Sequence, residues 1–127
     1  MQAYSYKTKP GKSAKVLGRS LNVSFKNSQQ VCKMISGMPL AKGKKAVEDL
    51  LERKRSIGGR FYTNAAKEIS GLLKSAEANA EFKSLDAERL FILASANKGM
   101  RYRTPRKFQS RGSTRMLTHI QVVLEQR

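Results

Sequence analysis

Metal and thiol chemistry have almost nothing to work with in this chain. Cys32 is the only cysteine and His119 the only histidine among 127 residues. A lone cysteine forms no internal disulfide, and one cysteine with one histidine falls short of a zinc site. No metal or cofactor is implied. Acid is also scarce: nine Asp and Glu stand against 26 Lys and Arg, a formal charge of +17. The paired carboxylates sit on helical segments among opposite charges, so no general acid and base can be assembled from them. Gly58-Gly59 is not followed by Lys-Ser or Lys-Thr, so a nucleotide-cradling loop is missing. Long apolar runs are absent, which argues against a signal peptide or a membrane span. The stretch Met1 to Leu17 carries lysines but no apolar face of the kind a transit peptide needs. The expectation is a cytoplasmic, reducing compartment, no membrane partner and no enzyme.

What is abundant is positive charge, and it is unevenly placed. Residues 1–47 hold ten Lys and Arg with no acid, and residues 89–124 hold eight with none. Residues 48–88 hold seven cations and eight acids, as an ordinary globular protein would. Self-repulsion at +17 opposes compactness, so such charge implies a polyanionic partner. Length and composition imply one domain over residues 1–127. Its parts read as a basic N-terminal arm (1–15), a body (16–96 and 117–127) and an extended hairpin (97–116).

The hairpin is the centre of the argument. From Asn97 to Met116 run seven cations (Lys98, Arg101, Arg103, Arg106, Lys107, Arg111 and Arg115) and no acid. The segment has too few apolar residues for a core of its own. Its flanks, Leu90 to Ala96 and Leu117 to Leu124, alternate with the period of strands. Two core strands that continue past the body as a basic ribbon fit this pattern. Gly99, Pro105 and Gly112 read as bends. Tyr102 and Phe108 either stack on unpaired bases or pack within the hairpin against Met100 or Met116. Duplex-DNA readers place a helix or short ribbon in a groove, whereas an irregular basic hairpin suits threading into folded RNA. No DNA partner is expected. A two-stranded ribbon alone is marginal in water, so disorder is expected in the free protein.

The remaining elements read as follows. Lys7, Lys9, Lys12 and Lys15 belong to an extended arm that either touches phosphates or is a solvated tail. Val16 to Val23 reads as a short strand. Ser24 caps a helix to Ser36, with Val31, Met34, Ile35 and Met38 as its apolar stripe, Cys32 half-buried beside them and Gly37 just past its end. A second helix covers Lys42 to Lys54, with Lys44, Glu48 and Glu52 on a solvated face. Arg60, at the exit of the Gly58-Gly59 turn, either meets a phosphate or is merely solvated. Thr63 or Asn64 caps a third helix to about Phe82, with Ala66, Ile69, Leu73, Ala76 and Ala80 as its core stripe. Gly71 inside it suggests close packing. Asn79 reads as a satisfied polar residue, and His119 as a structural or RNA-touching residue on a sheet surface.

Three blocks carry a resemblance: Ser75-Ala-Glu-Ala-Asn-Ala-Glu81, Pro105-Arg106 within the basic hairpin, and Thr118-His-Ile-Gln-Val-Val-Leu-Glu125. They resemble the family of the twenty-second protein of the large ribosomal subunit (seventeenth in the eukaryotic count). Gly18 to Lys26, Val31-Cys32 and Ile35-Ser-Gly-Met38 are similar to its archaeal and eukaryotic branch. The resemblance implies an α+β fold, three helices on a three-stranded antiparallel sheet with a long hairpin. It implies large-subunit rRNA, neighbouring ribosomal proteins and the nascent peptide as partners. The rRNA contacts would be Lys7, Lys9, Lys12, Lys15, Arg19, Lys26, Arg60 and the hairpin residues Lys98, Arg101, Tyr102, Arg103, Arg106, Lys107, Phe108, Arg111 and Arg115. The tip, Arg103-Thr104-Pro105-Arg106-Lys107-Phe108-Gln109-Ser110-Arg111, would line the peptide exit tunnel. Three features depart from the family pattern: a short connection at Ser56 to Thr63, Phe25 in place of proline, and Thr104 and Lys107 flanking Pro-Arg. A structural role in the large subunit is the expectation, and a free-standing RNA-binding or chaperone module the alternative.

Overall fold

The structure, a computed structural model, describes residues 4–127. Its elements are β1 (Ser13–Leu21), α1 (Phe25–Ile35), α2 (Leu40–Leu51), α3 (Thr63–Phe82), β2 (Leu90–Arg103) and β3 (Thr114–Gln126). Short 3-10 turns stand at Ala87–Arg89 and Phe108–Ser110. The fold is α+β, with three helices against one face of an antiparallel sheet ordered β1-β3-β2.

The last strand in the chain is the middle strand of the sheet. Its partners flank it on both sides, with Val16 opposite Val122 and Ala94 opposite Val122. A central strand covered on both faces reads as a nearly continuous apolar run, and Ile120 to Leu124 are all buried. On the inner face Ala14, Ile92, Ile120, Val122 and Leu124 meet Val31 and Ile35 of α1 and Ile69, Leu73 and Ala76 of α3. The full α3 stripe expected from its spacing is buried. Burying each Leu or Ile side chain contributes about 1.5–3 kcal/mol.

The outer face of the sheet differs from the expected arm. Residues 4–8 fold back across it. Ser5 donates from its backbone N and its Oγ to Gln121 Oε1 at 2.9 and 3.1 Å, and the Tyr6 hydroxyl donates to Ala94 O at 3.0 Å. Residues 13–15 are not arm but the start of β1. The first three positions of the expected arm lie outside the described residues. Apolar and amide surface on Gln121, Val123 and Leu93 draws the segment down, because a buried amide needs partners.

Both sheet edges are also engaged. Beside β2, Gly37 N donates to Ile92 O at 2.7 Å and Ile92 N to Met38 O at 2.9 Å. Beside β1, Asn79 Nδ2 donates to Lys15 O at 3.3 Å and Lys83 Nζ to Ser13 O at 3.0 Å. Covered edges resist pairing with other chains.

Several local expectations are corrected. Helix α2 begins directly after Pro39 and stops at Leu51, because Arg53 takes a left-handed φ of 59°. Lys44 pairs with Glu77 of α3 at 2.6 Å rather than lying on a free charged face. Helix α3 is entered by Tyr62, not Thr63 or Asn64, with φ 45° and no side-chain cap. Tyr62 packs against the core there, and apolar contact outweighs capping. Cys32 is fully rather than half buried, and burial pushes its thiol up to about 12. Gly71 is exposed, with nothing within 4 Å of a Cβ placed on it, so close packing does not explain it.

Candidate nucleic-acid interface

Strands β2 and β3 run on past the body as one paired ribbon. The ladder continues from Leu90–Gln126 through Asn97–His119 and Lys98–Thr118 to Arg103–Thr114. At about 3.3 Å per residue, the step from Asn97 to Arg103 projects the chain about 20 Å. The strands therefore enter the segment that composition marks as hairpin, and only positions 104–113 form the connecting loop. Thr104 closes it, donating from N and Oγ1 to Ser113 O at 3.3 and 3.2 Å.

Gly99 marks the root. The register shifts between Lys98 and Arg101, so the expected bend is a bulge in the ribbon. A Cβ on Gly99 would stand 2.6 Å from Leu117 O, so only glycine lets the two backbones approach this closely. Three further contacts fix the root to the body. Buried Thr118 donates from Oγ1 to Val23 O at 2.8 Å. Ser20 N, in a left-handed bulge at φ 55°, donates to His119 Nδ1 at 2.9 Å. Lys98 Nζ lies 5.9 Å from the Phe25 ring centroid. His119 thus has a structural task, and Phe25 meets a hairpin cation.

All seven hairpin cations are exposed. Arg103, Arg106 and Arg111 ring an open hollow of about 570 Å³ at the tip, with Thr104 and Ser113 in its wall. Converging guanidiniums without an acid form a place for phosphate oxygens, which they meet as planar forks. Phe108 is 92% exposed, so it packs against nothing inside the hairpin. Gln109 is exposed as well, and the side chain of Ser110 lies outside the described residues.

The other cations fall into two groups. Arg19 and Lys26 flank the segment that holds Val23 and Phe25 against the hairpin root. Arg60 belongs with them. Helix α3 runs antiparallel to β1, since Lys83 reaches Ser13, Asn79 reaches Lys15 and Leu72 approaches Gly18. Its N-terminus, with Arg60 just before it, therefore points toward the hairpin end. Arg60 itself closes a tight turn with Ile57 through backbone bonds of 2.9 and 3.1 Å. Lys7, Lys9, Lys12 and Lys15 form the second group. They are exposed on the arm and on β1, and they approach the end opposite the hairpin, where Gln126 N donates to Lys12 O at 2.9 Å. Lys15 Nζ also lies 5.2 Å from the Tyr4 ring. The expected cations thus fall on the hairpin, toward its root, and at the opposite end of the body. Phe25 was no candidate in sequence reasoning. Its cation partner is remote in the chain, and no local pattern announces it.

No described helix is long and apolar enough to cross a membrane. Residues 16–125 match the family described as ribosomal protein L22p/L17e. Three archaeal proteins, each named large ribosomal subunit protein uL22, are similar over nearly their whole lengths. That of Methanocaldococcus jannaschii is 33% identical over 146 residues, covering 97% of this chain and 94% of the relative. That of Archaeoglobus fulgidus is 35% identical over 150 residues, covering 98% and 96%. That of Methanosphaera stadtmanae is 37% identical over 145 residues, covering 95% and 94%. Each of these alignments is longer than the chain itself, so the relatives carry insertions that this chain lacks.

Proposed function

The chain belongs to the ribosomal protein L22p/L17e family, and from that premise we propose that it is a structural constituent of the large ribosomal subunit, binding large-subunit rRNA through its hairpin. The family is one of ribosomal proteins, not of enzymes. The observation that carries the reading is the ribbon from Lys98 to Arg115: seven exposed cations, no acid, projected clear of a body that needs none of them for its core. Its work is charge neutralisation and shape. Arg101, Arg103, Arg106, Lys107, Arg111 and Arg115 screen converging phosphates, and the bulged root sets the angle at which the ribbon enters RNA. Arg19, Lys26 and Arg60 extend the contact onto the body, and Lys7, Lys9, Lys12 and Lys15 hold a second RNA segment. The tip from Arg103 to Arg111 lines the peptide exit tunnel, where it meets the nascent chain. The assembly is cytoplasmic, with other large-subunit proteins as neighbours.

The test is RNA crosslinking with peptide mapping on ribosomes that carry this chain, after washing in high salt. Retention on large subunits, with peptides from Arg101 to Arg115 joined to several separated rRNA segments, is the expected result. A chain that washes free yet still crosslinks to other RNA is a free-standing RNA-binding module. Crosslinks confined to Lys7 to Lys15 would sink the threaded hairpin.

A further inference from the structure

The hairpin register separates its side chains into two chemically different faces. Arg101 stands opposite Met116, Tyr102 opposite Arg115, and Arg103 opposite Thr114. Successive strand residues point to opposite faces. Arg101, Arg103 and Met116 therefore share one face, and Tyr102 and Arg115 share the other. The Tyr102 ring cannot bury itself against Met116. Met100, two positions before it, is 62% exposed. The first face leads into the arginine hollow at the tip, which has no aromatic in its wall. The second opens on a smaller hollow of about 280 Å³ lined by Tyr102, Pro105, Lys107 and Arg115, with Thr104 shared between the two hollows.

Tyr102 is 37% exposed, so part of its ring reaches solvent. Tyr4, Phe25, Phe61 and Phe91 each carry a cation 4.8–5.9 Å from the ring centroid. Among the described residues no cation lies over Tyr102, although Arg115 is its cross-strand partner and Lys107 lines the same hollow. The hollow thus brings together an aromatic ring and two cations, with no acid in its wall. A flat π-system with negative charge attached is the ligand this combination fits, which is a nucleotide within a strand.

We propose that this second face is a base-stacking site. Tyr102 takes one unpaired RNA base on its ring, and Arg115 and Lys107 hold the adjoining phosphates. The opposite face, with Arg103, Arg106 and Arg111, takes backbone alone. The inference rests on the rRNA-binding reading given above and adds to it which residue meets a base.

The chain contains no tryptophan, so Tyr102→Trp installs a single reporter at the site. The full-length variant is titrated with a single-stranded RNA oligomer and with the same oligomer made abasic. The expected result is strong quenching of the indole by the intact oligomer and binding about tenfold tighter than to the abasic one, within the roughly 5- to 160-fold expected for one stacked base. Tyr102→Leu should erase that preference and leave the salt dependence of binding unchanged, while Tyr102→Phe keeps the preference. Equal affinity for the two oligomers, with indole emission unchanged at saturation, would overturn the stacking site and leave phosphate binding standing. Binding to neither oligomer overturns the rRNA reading along with it. Circular dichroism of each variant checks that the exposed substitution leaves the body folded.

Discussion

Gly71 stands in the middle of α3, where glycine is costly and nothing around it requires one. It is exposed, and a Cβ there meets no atom within 4 Å. Glycine in a helix interior costs about 1 kcal/mol relative to alanine, through the backbone freedom lost on folding. Gly71→Ala should therefore stabilise the protein by about 0.8–1 kcal/mol. The check is urea unfolding, with a higher midpoint and an unchanged slope; a lower midpoint would mean that an unseen contact needs the bare backbone. The neighbouring stripe from Ala66 to Ala80 was legible in the sequence because helical spacing alone selects the buried face. Single polar residues were not legible in that way. Gln121 is fully buried because Ser5, 116 positions earlier, brings its N–H and hydroxyl to the amide. His119 is tied to Ser20, 99 positions away. Periodicity assigns a residue to a face, but it does not say what will arrive to cover that face.

The hairpin is two elements in energetic terms, although it is one ladder. From Leu90 to Asn97 its strands are held by the core, by β1 and by the helices. Beyond the Gly99 bulge, Arg101 to Arg103 and Thr114 to Met116 pair only with each other among the described residues. A two-stranded ribbon with both faces in water is marginally stable. In the free protein, the amides of Leu93 and Ser95, which face β3, and those from Ile120 to Leu124 should exchange with solvent only through global unfolding. Those from Arg101 to Arg103 and Arg115 to Met116 should exchange orders of magnitude faster and become protected on binding RNA. Hydrogen exchange read by mass spectrometry or NMR decides this, and uniform protection along the free ribbon would show that the distal part is self-sufficient. The flanking strands were legible because alternation continues through Leu90 to Ala96 and Leu117 to Leu124. Their continuation through the basic segment was not, because charged residues hide strand periodicity. The start of β1 at Ser13 was missed for a related reason, since its first residues are small or charged and pair only through β3.

At the scale of the whole molecule, charge sets two opposing demands. Eight of the nine acids lie between Glu48 and Glu88, so the helical layer is the part closest to neutral. The hairpin has no acid to offset its seven cations, and its arginines repel one another across the tip hollow. Free protein therefore stores electrostatic repulsion that bound phosphate relieves. Salt relieves it as well, by screening: the Debye length falls from about 30 Å at about 0.01 M to about 10 Å at about 0.1 M. Added salt should thus raise the melting temperature of the free protein. Over the same range it should weaken RNA binding, since each phosphate contact releases counterions. Seven contacts imply a slope of log affinity against log salt of roughly −5 to −6. Thermal melts and binding titrations in one salt series measure both trends. The two opposite signs together are what a cationic ribbon held ready for a polyanion requires. A melting temperature that falls with salt would mean that ion pairs such as Lys44–Glu77 outweigh the repulsion. A binding slope near −1 would mean that a single phosphate, rather than the ribbon, carries the contact.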